Sequence, residues 1–172
     1  MTAFTRPARA EAADYYHKYI DRVGDGDIRE LLARQRTDVM RFLRALPPGK
    51  AGHRYAEGKW TIAEVVGHLN DCERLFVSRA FWFARGLEGS LPSFDQNLAM
   101  AASDASSRTW ASHLDEFEGL RADSVRFFDT LPEAAWDRTG IASDCGFSVK
   151  ALAYIAVGHV EHHLAIIRER YL

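Results

Sequence analysis

The sequence predicts an all-α protein: a four-helix bundle with a long crossover between its second and third helices and an N-terminal arm. Three observations predict it. Four long stretches carry apolar residues at steps of three and four, the period of one face of a helix. No stretch shows apolar–polar alternation bounded by hairpin turns. The chain has 172 residues, enough to bury one sizeable core. Helices of about 20 residues are about 30 Å long, a natural size for a bundle whose interior can house a metal. The expected division is an arm over residues 1–26 and a bundle over residues 27–172.

The arm contains Tyr15, Tyr16, Tyr19, Ile20 and Val23, and their spacing suits either an extra helix or an extended segment. The first bundle helix is expected from about Asp27, a plausible N-cap, to Ala45, with Ile28, Leu31, Leu32, Val39, Phe42 and Leu43 on one face. Pro47-Pro48-Gly49 closes it. The second opens at Thr61-Ile-Ala-Glu64, a capping-box pattern, and ends near Arg85-Gly86. The linker from Leu87 to Ser106 is too long for a minimal connection, so it should cross or cover one end of the bundle, with a short helix near Gln96 to Ala102. The third helix spans roughly Ser107 to Leu131 and stops at Pro132; the fourth starts after Ser148 and runs almost to Leu172.

Composition excludes several classes of function. Net charge is only -2, with 22 basic and 24 acidic residues interspersed, so no electrostatic footprint for nucleic acid or an anionic membrane is present. No segment approaches the ~18 uninterrupted apolar residues of a membrane span, and Met1 to Tyr16 lack the apolar region of a secretory signal. A cytoplasmic protein with a small-molecule substrate is expected. Cys72 and Cys145 have no framework spacing and should remain thiols.

The most informative feature is a pair of histidines one turn apart. At about 100° per residue, Leu152, Ile155, Ala156, Val160, Ile166 and Ile167 cluster on one side of the last helix, and His159 and His163 fall near the centre of that arc. Two imidazoles in an apolar stripe need partners, because an unpaired buried polar group costs about 1–3 kcal/mol. A divalent cation satisfies both. Glu161 points the other way, His162 lies at the edge of the same face, and His17, His53 and His113 read as surface residues. His68 borders the apolar face of the second helix and is a candidate third ligand, although alone it reads as well as a hydrogen-bonded core or surface residue. The residue after His159 is Val160, so the H-E-x-x-H protease pattern is absent.

Three segments resemble the DinB-like, YfiT-like metal-dependent four-helix proteins, which are unrelated to the DNA polymerase of similar name: Gly58-Lys-Trp-Thr-Ile-Ala-Glu-Val-Val-Gly-His68-Leu-Asn-Asp-Cys-Glu-Arg74, Leu91-Pro-Ser-Phe-Asp-Gln-Asn97, and Ala151-Leu-Ala-Tyr-Ile-Ala-Val-Gly-His159-Val-Glu-His-His163-Leu. The resemblance implies that His68, His159 and His163 hold a divalent metal. It also implies a homodimer and, as in characterised relatives, chemistry with low-molecular-weight thiols such as bacillithiol, mycothiol or glutathione. Three imidazoles suit zinc or nickel foremost, and iron or copper as well.

A coordinated thiol becomes a thiolate, so the expected function is a metal-dependent transferase that activates a small thiol against an electrophile. The alternatives are a hydrolase using metal-bound water and a non-catalytic metal-binding stress-response protein. Arg79, on a similar angular line to His68, is a candidate to bind a substrate carboxylate, against the simpler reading of an arginine solvated near a helix end. Asp95 is a candidate substrate-side group, against a plain helix N-cap. Cys72 reads as a small core residue, and Trp60 and Tyr55 as packing or pocket wall. Trp82, off the core face, suggests a surface covered by a second copy.

Overall fold

A computed structural model describes residues 5–172; Met1 to Phe4 of the expected arm lie outside the described residues. The described residues form six α-helices: α1 (Asp14–Ile20), α2 (Ile28–Arg44), α3 (Ile62–Ala84), α4 (Gln96–Ala102), α5 (Trp110–Asp129) and α6 (Val149–Ile166). The long helices start where side chains can satisfy their first amides. Asp27 accepts from Arg29, Thr109 from Ser112 and Ser148 from Ala151. Thr61 and Glu64 close a reciprocal capping box on α3, while Gly86, with φ of 68°, follows its C-terminus.

The four long helices form a ring in the order α2, α5, α3, α6, so the consecutive pairs α2/α3 and α5/α6 lie across its diagonals. Helix α6 is the spine. Apart from Lys150 it is buried on every side from Val149 to Val160, as befits a helix that is apolar all round. It extends through a π-helical turn, Ile167–Tyr171, where the Tyr171 hydroxyl donates to the Trp60 carbonyl at 2.8 Å. Helix α1 packs along α6, which resolves the open reading of the arm in favour of a helix over part of its length.

The structure corrects the expectation of no strands. A two-stranded antiparallel hairpin, β1 (Thr139–Ala142) and β2 (Cys145–Ser148), joins α5 to α6. Its turn carries Ser143 and Asp144 at φ of 51° and 57°, the two positive values of a mirror-type hairpin turn. Gly140 and Gly146 interrupt the apolar alternation, which conceals the strands in the sequence. A side chain at Gly140 would overlap the Phe83 ring, so the gap in the pattern is a packing requirement. Cys145 opens β2 and is half-buried. The hairpin is tied to the linker after α3 by backbone bonds from Leu91 to the Ile141 carbonyl at 2.9 Å and from Ser143 to the Leu91 carbonyl at 3.1 Å. Among the described residues, no helix is long and apolar enough to cross a membrane.

One polar network passes through the core. Arg121 of α5, fully buried, donates to Glu73 of α3 at 2.8 Å and to Gln35 of α2 at 2.7 Å. Gln35 in turn donates to the Val157 carbonyl of α6 at 2.9 Å and to Glu161 at 2.6 Å. Each long helix therefore contributes a polar group to one connected set.

Candidate metal centre and its pocket

Helices α3 and α6 bring three imidazoles together. His159 Nε2 lies 3.2 Å from His68 Nε2 and 3.2 Å from His163 Nε2. A neutral imidazole carries one N–H and one lone pair, so His159 Nε2 cannot serve both neighbours well by hydrogen bonding alone. Nitrogens about 2.0–2.1 Å from a common zinc ion stand about 3.3 Å apart on a tetrahedron, close to the spacing found here. Burial pushes the His68 pKa down to about 4, and burial with the adjacent imidazoles pushes His163 to about 3. His159, also chiefly through burial, falls well below its ordinary value. All three are held neutral, the protonation state a metal ligand needs. The residues present fit a divalent cation.

Cys72, one turn after His68, is a further donor. Its Sγ is 3.6 Å from His68 Nε2 and 3.7 Å from His68 Nδ1, and together with His68 and His159 it forms a set of three donors whose ligand atoms all lie within 4.8 Å of one another, a set that leaves out His163. Being almost equidistant from both ring nitrogens, the sulfur faces the ring rather than lying beyond Nε2. Burial, then the nearby Asp71 and Glu73 carboxylates, push its thiol up to about 12, which leaves it protonated at neutral pH.

A cavity of about 430 Å³ opens onto this cluster. Its walls are His68, Cys72, Phe76 and Arg79 of α3, His159 of α6, the crossover residues Ser93 to Gln96, Ser143 of the hairpin turn, and Tyr15, Tyr16 and Tyr19 of α1. Tyr19 stands edge-on to His159 and His162, with ring centroids 5.2 and 5.3 Å apart. This contact depends on Gly158: a Cβ there would overlap the Tyr19 backbone carbonyl, so glycine lets α1 seat against α6 beside the histidines.

The structure brings the candidate ligands His68, His159 and His163 together and places Arg79 in the cavity that His68 and His159 line. Arg79 is 2% exposed, which corrects the reading of an arginine solvated near a helix end. Asp95 also lines the cavity, but it is exposed and accepts from the Asn97 and Leu98 amides as the N-cap of α4. Cys72 is buried as expected, yet it is pocket wall as well as core. Trp60 packs on the His68 ring at 5.0 Å and Tyr55 on Tyr171 at 4.8 Å; neither lines the cavity. His17 and His113, read as surface residues, are buried, their Nε2 atoms 3.0 Å from the Arg9 carbonyl and 2.9 Å from the Ala105 carbonyl. Glu161 is half-buried against Gln35 rather than free in solvent. The three tyrosines and Ser143 also line the cavity; the close spacing of the tyrosines is their one signal in the sequence, and Ser143 has none.

Residues 31–167 match the model of the DinB superfamily, and the chain belongs to that family. Its fold matches the solved structure of YfiT from Bacillus subtilis, described as a probable metal-dependent hydrolase with an unusual four-helix bundle topology, at a TM-score of 0.66 and 17% identity over 96% of this chain and 90% of that one. It also matches a mycothiol-dependent maleylpyruvate isomerase at a TM-score of 0.67 and 15% identity, over 96% of this chain but only 62% of the isomerase. No curated protein sequence matches the chain.

Proposed function

We propose that the protein is a metal-dependent transferase that joins a low-molecular-weight thiol to an electrophilic small molecule. The observation that carries this reading is the convergence of three neutral Nε2 atoms, of which those of His68 and His159 belong to residues lining a cavity. Zinc or nickel held by His68, His159 and His163 would supply a thiolate at neutral pH. The protein's own residues bind and orient. Trp60 and Phe76 pack on the ligand rings, the latter 5.5 Å from His159, and restrict their rotation. Cys72, kept protonated by burial, is not the nucleophile. Arg79 faces the substrate, and Asp95 holds the rim of the cavity through α4. The mycothiol dependence of one structural neighbour supports the choice of a thiol co-substrate.

The hydrolase reading is weaker because, among the described residues, the one carboxylate lining the cavity is the exposed Asp95, whose Oδ1 caps α4, while Asp71, raised by burial, does not line it. Cys72 favours a third reading, in which it closes the coordination shell and the ion is structural. Metal analysis and a thiol screen on one preparation separate these readings. His68→Ala, His159→Ala and His163→Ala should each lower metal occupancy sharply, whereas His162→Ala should not. Conjugation of an electrophile such as 1-chloro-2,4-dinitrobenzene should require bacillithiol, mycothiol or glutathione, vanish in His163→Ala and survive in Cys72→Ala. No rate above the uncatalysed thiol reaction, together with ester cleavage, would hand the assignment to the hydrolase.

A further inference from the structure

We propose that Arg79 anchors an anion subsite in this cavity, so that the site takes an elongated organic acid with its carboxylate on the guanidinium and its reacting end at the histidines. The second half of that statement rests on the transferase reading; the first does not. Arg79 is buried, yet among the described residues no carboxylate pairs with it. Its NH2 donates to two neutral acceptors, the Pro92 carbonyl at 2.9 Å and the Ser143 hydroxyl at 2.8 Å, and its buried Nε has no acceptor at all. A buried cation without a counter-charge is costly, and a guanidinium with an idle N–H suits the planar fork of a carboxylate. Among the described residues the one carboxylate of the cavity walls, Asp95, accepts the α4 amides through Oδ1 and makes no ion pair with Arg79.

Placement gives the ligand its shape. Arg79 follows His68 by eleven residues, three turns on the same face of α3, which separates their backbones by about 16 Å along the axis. Both side chains line the one cavity. The two side chains sit at separate stations along the cavity, an arrangement that suits an elongated ligand. The hydroxyls of Tyr16 and Ser143 belong to the Arg79 end, and the apolar rings of Phe76 and Phe94 line the cavity as well.

Titration calorimetry of octanoate against octanamide, using protein as purified, tests the subsite without reference to thiol chemistry. The acid should bind at least tenfold tighter than the amide, and the ratio should fall to near one in Arg79→Gln. A wild-type ratio near one overturns the proposal, as does a full ratio in Arg79→Gln. Should that variant fail to fold, Arg79→Lys carries the test: it keeps a point charge without the fork, so a severalfold fall is expected and an unchanged ratio overturns the subsite. A purely structural Arg79, merely pinning the hairpin turn, would lower the melting temperature without altering the acid-to-amide ratio. Comparison of 8-mercaptooctanoate with octanoate reports the other end, where the thiol should add affinity that His159→Ala removes. Absence of that gain in the wild-type protein, with the acid preference intact, would sink the transferase reading and leave the anion subsite standing.

Discussion

For single side chains, burial of the three imidazoles sets a pH response. Their folded pKa values lie below the ordinary 6.5, so the unfolded chain takes up protons first as the solution is acidified. Their contribution is fully present above about pH 6.5 and is lost as pH falls toward 4 for His68 and 3 for His163. Metal-stripped protein should therefore lose stability over that window, with each imidazole adding up to about 1.4 kcal/mol per pH unit where it is protonated only in the unfolded chain. Chemical denaturation at a series of pH values measures the slope, and His68→Ala should flatten it; equal slopes would count against the buried neutral cluster. The pair His159 and His163 was legible because one helix fixes their relation. His68 was less so, because its partners lie 91 positions away, and the burial of Arg79 was invisible because Pro92 and Ser143 close over it from other segments.

Among the elements, the least legible were the shortest. The boundaries of α2, α3 and α6 follow from caps and period, and α4 occupies Gln96–Ala102 as its linker position suggested. The hairpin escaped because its glycines answer to Phe83, a contact no local pattern records. Helix α1 stays undecided from the sequence because only seven residues are helical and its seat is a glycine on another element. Gly158→Ala tests that seat. Overpacking at a close backbone approach costs about 1–3 kcal/mol. The variant should melt lower, lose the Tyr19 wall and bind thiol substrates less well, while metal occupancy stays near that of the wild type. An unchanged melting temperature would mean that α1 tolerates displacement.

On the scale of the whole molecule, the Arg121 network links the four long helices through one buried cation. Arg121→Met leaves Glu73 charged and without its guanidinium partner, a loss of about 3–5 kcal/mol, and Arg121→Met combined with Glu73→Leu should recover part of it. Denaturant midpoints decide between that and simple additivity. A homodimer remains the assembly expected from the family resemblance, with light scattering near twice the 19.4 kDa chain mass; a single-chain mass would remove it. Trp82 no longer argues for the dimer, since it is half-buried and its indole donates to the Glu88 carbonyl at 3.2 Å. The origins of the cavity walls carry a consequence for descent. The three imidazoles come from two long helices locked into the core, whereas the tyrosines, the crossover and the hairpin turn are peripheral pieces. Mutations in those pieces can remodel what enters without disturbing the donors beneath, so lineages sharing this centre are free to drift apart in diet while keeping the same hearth.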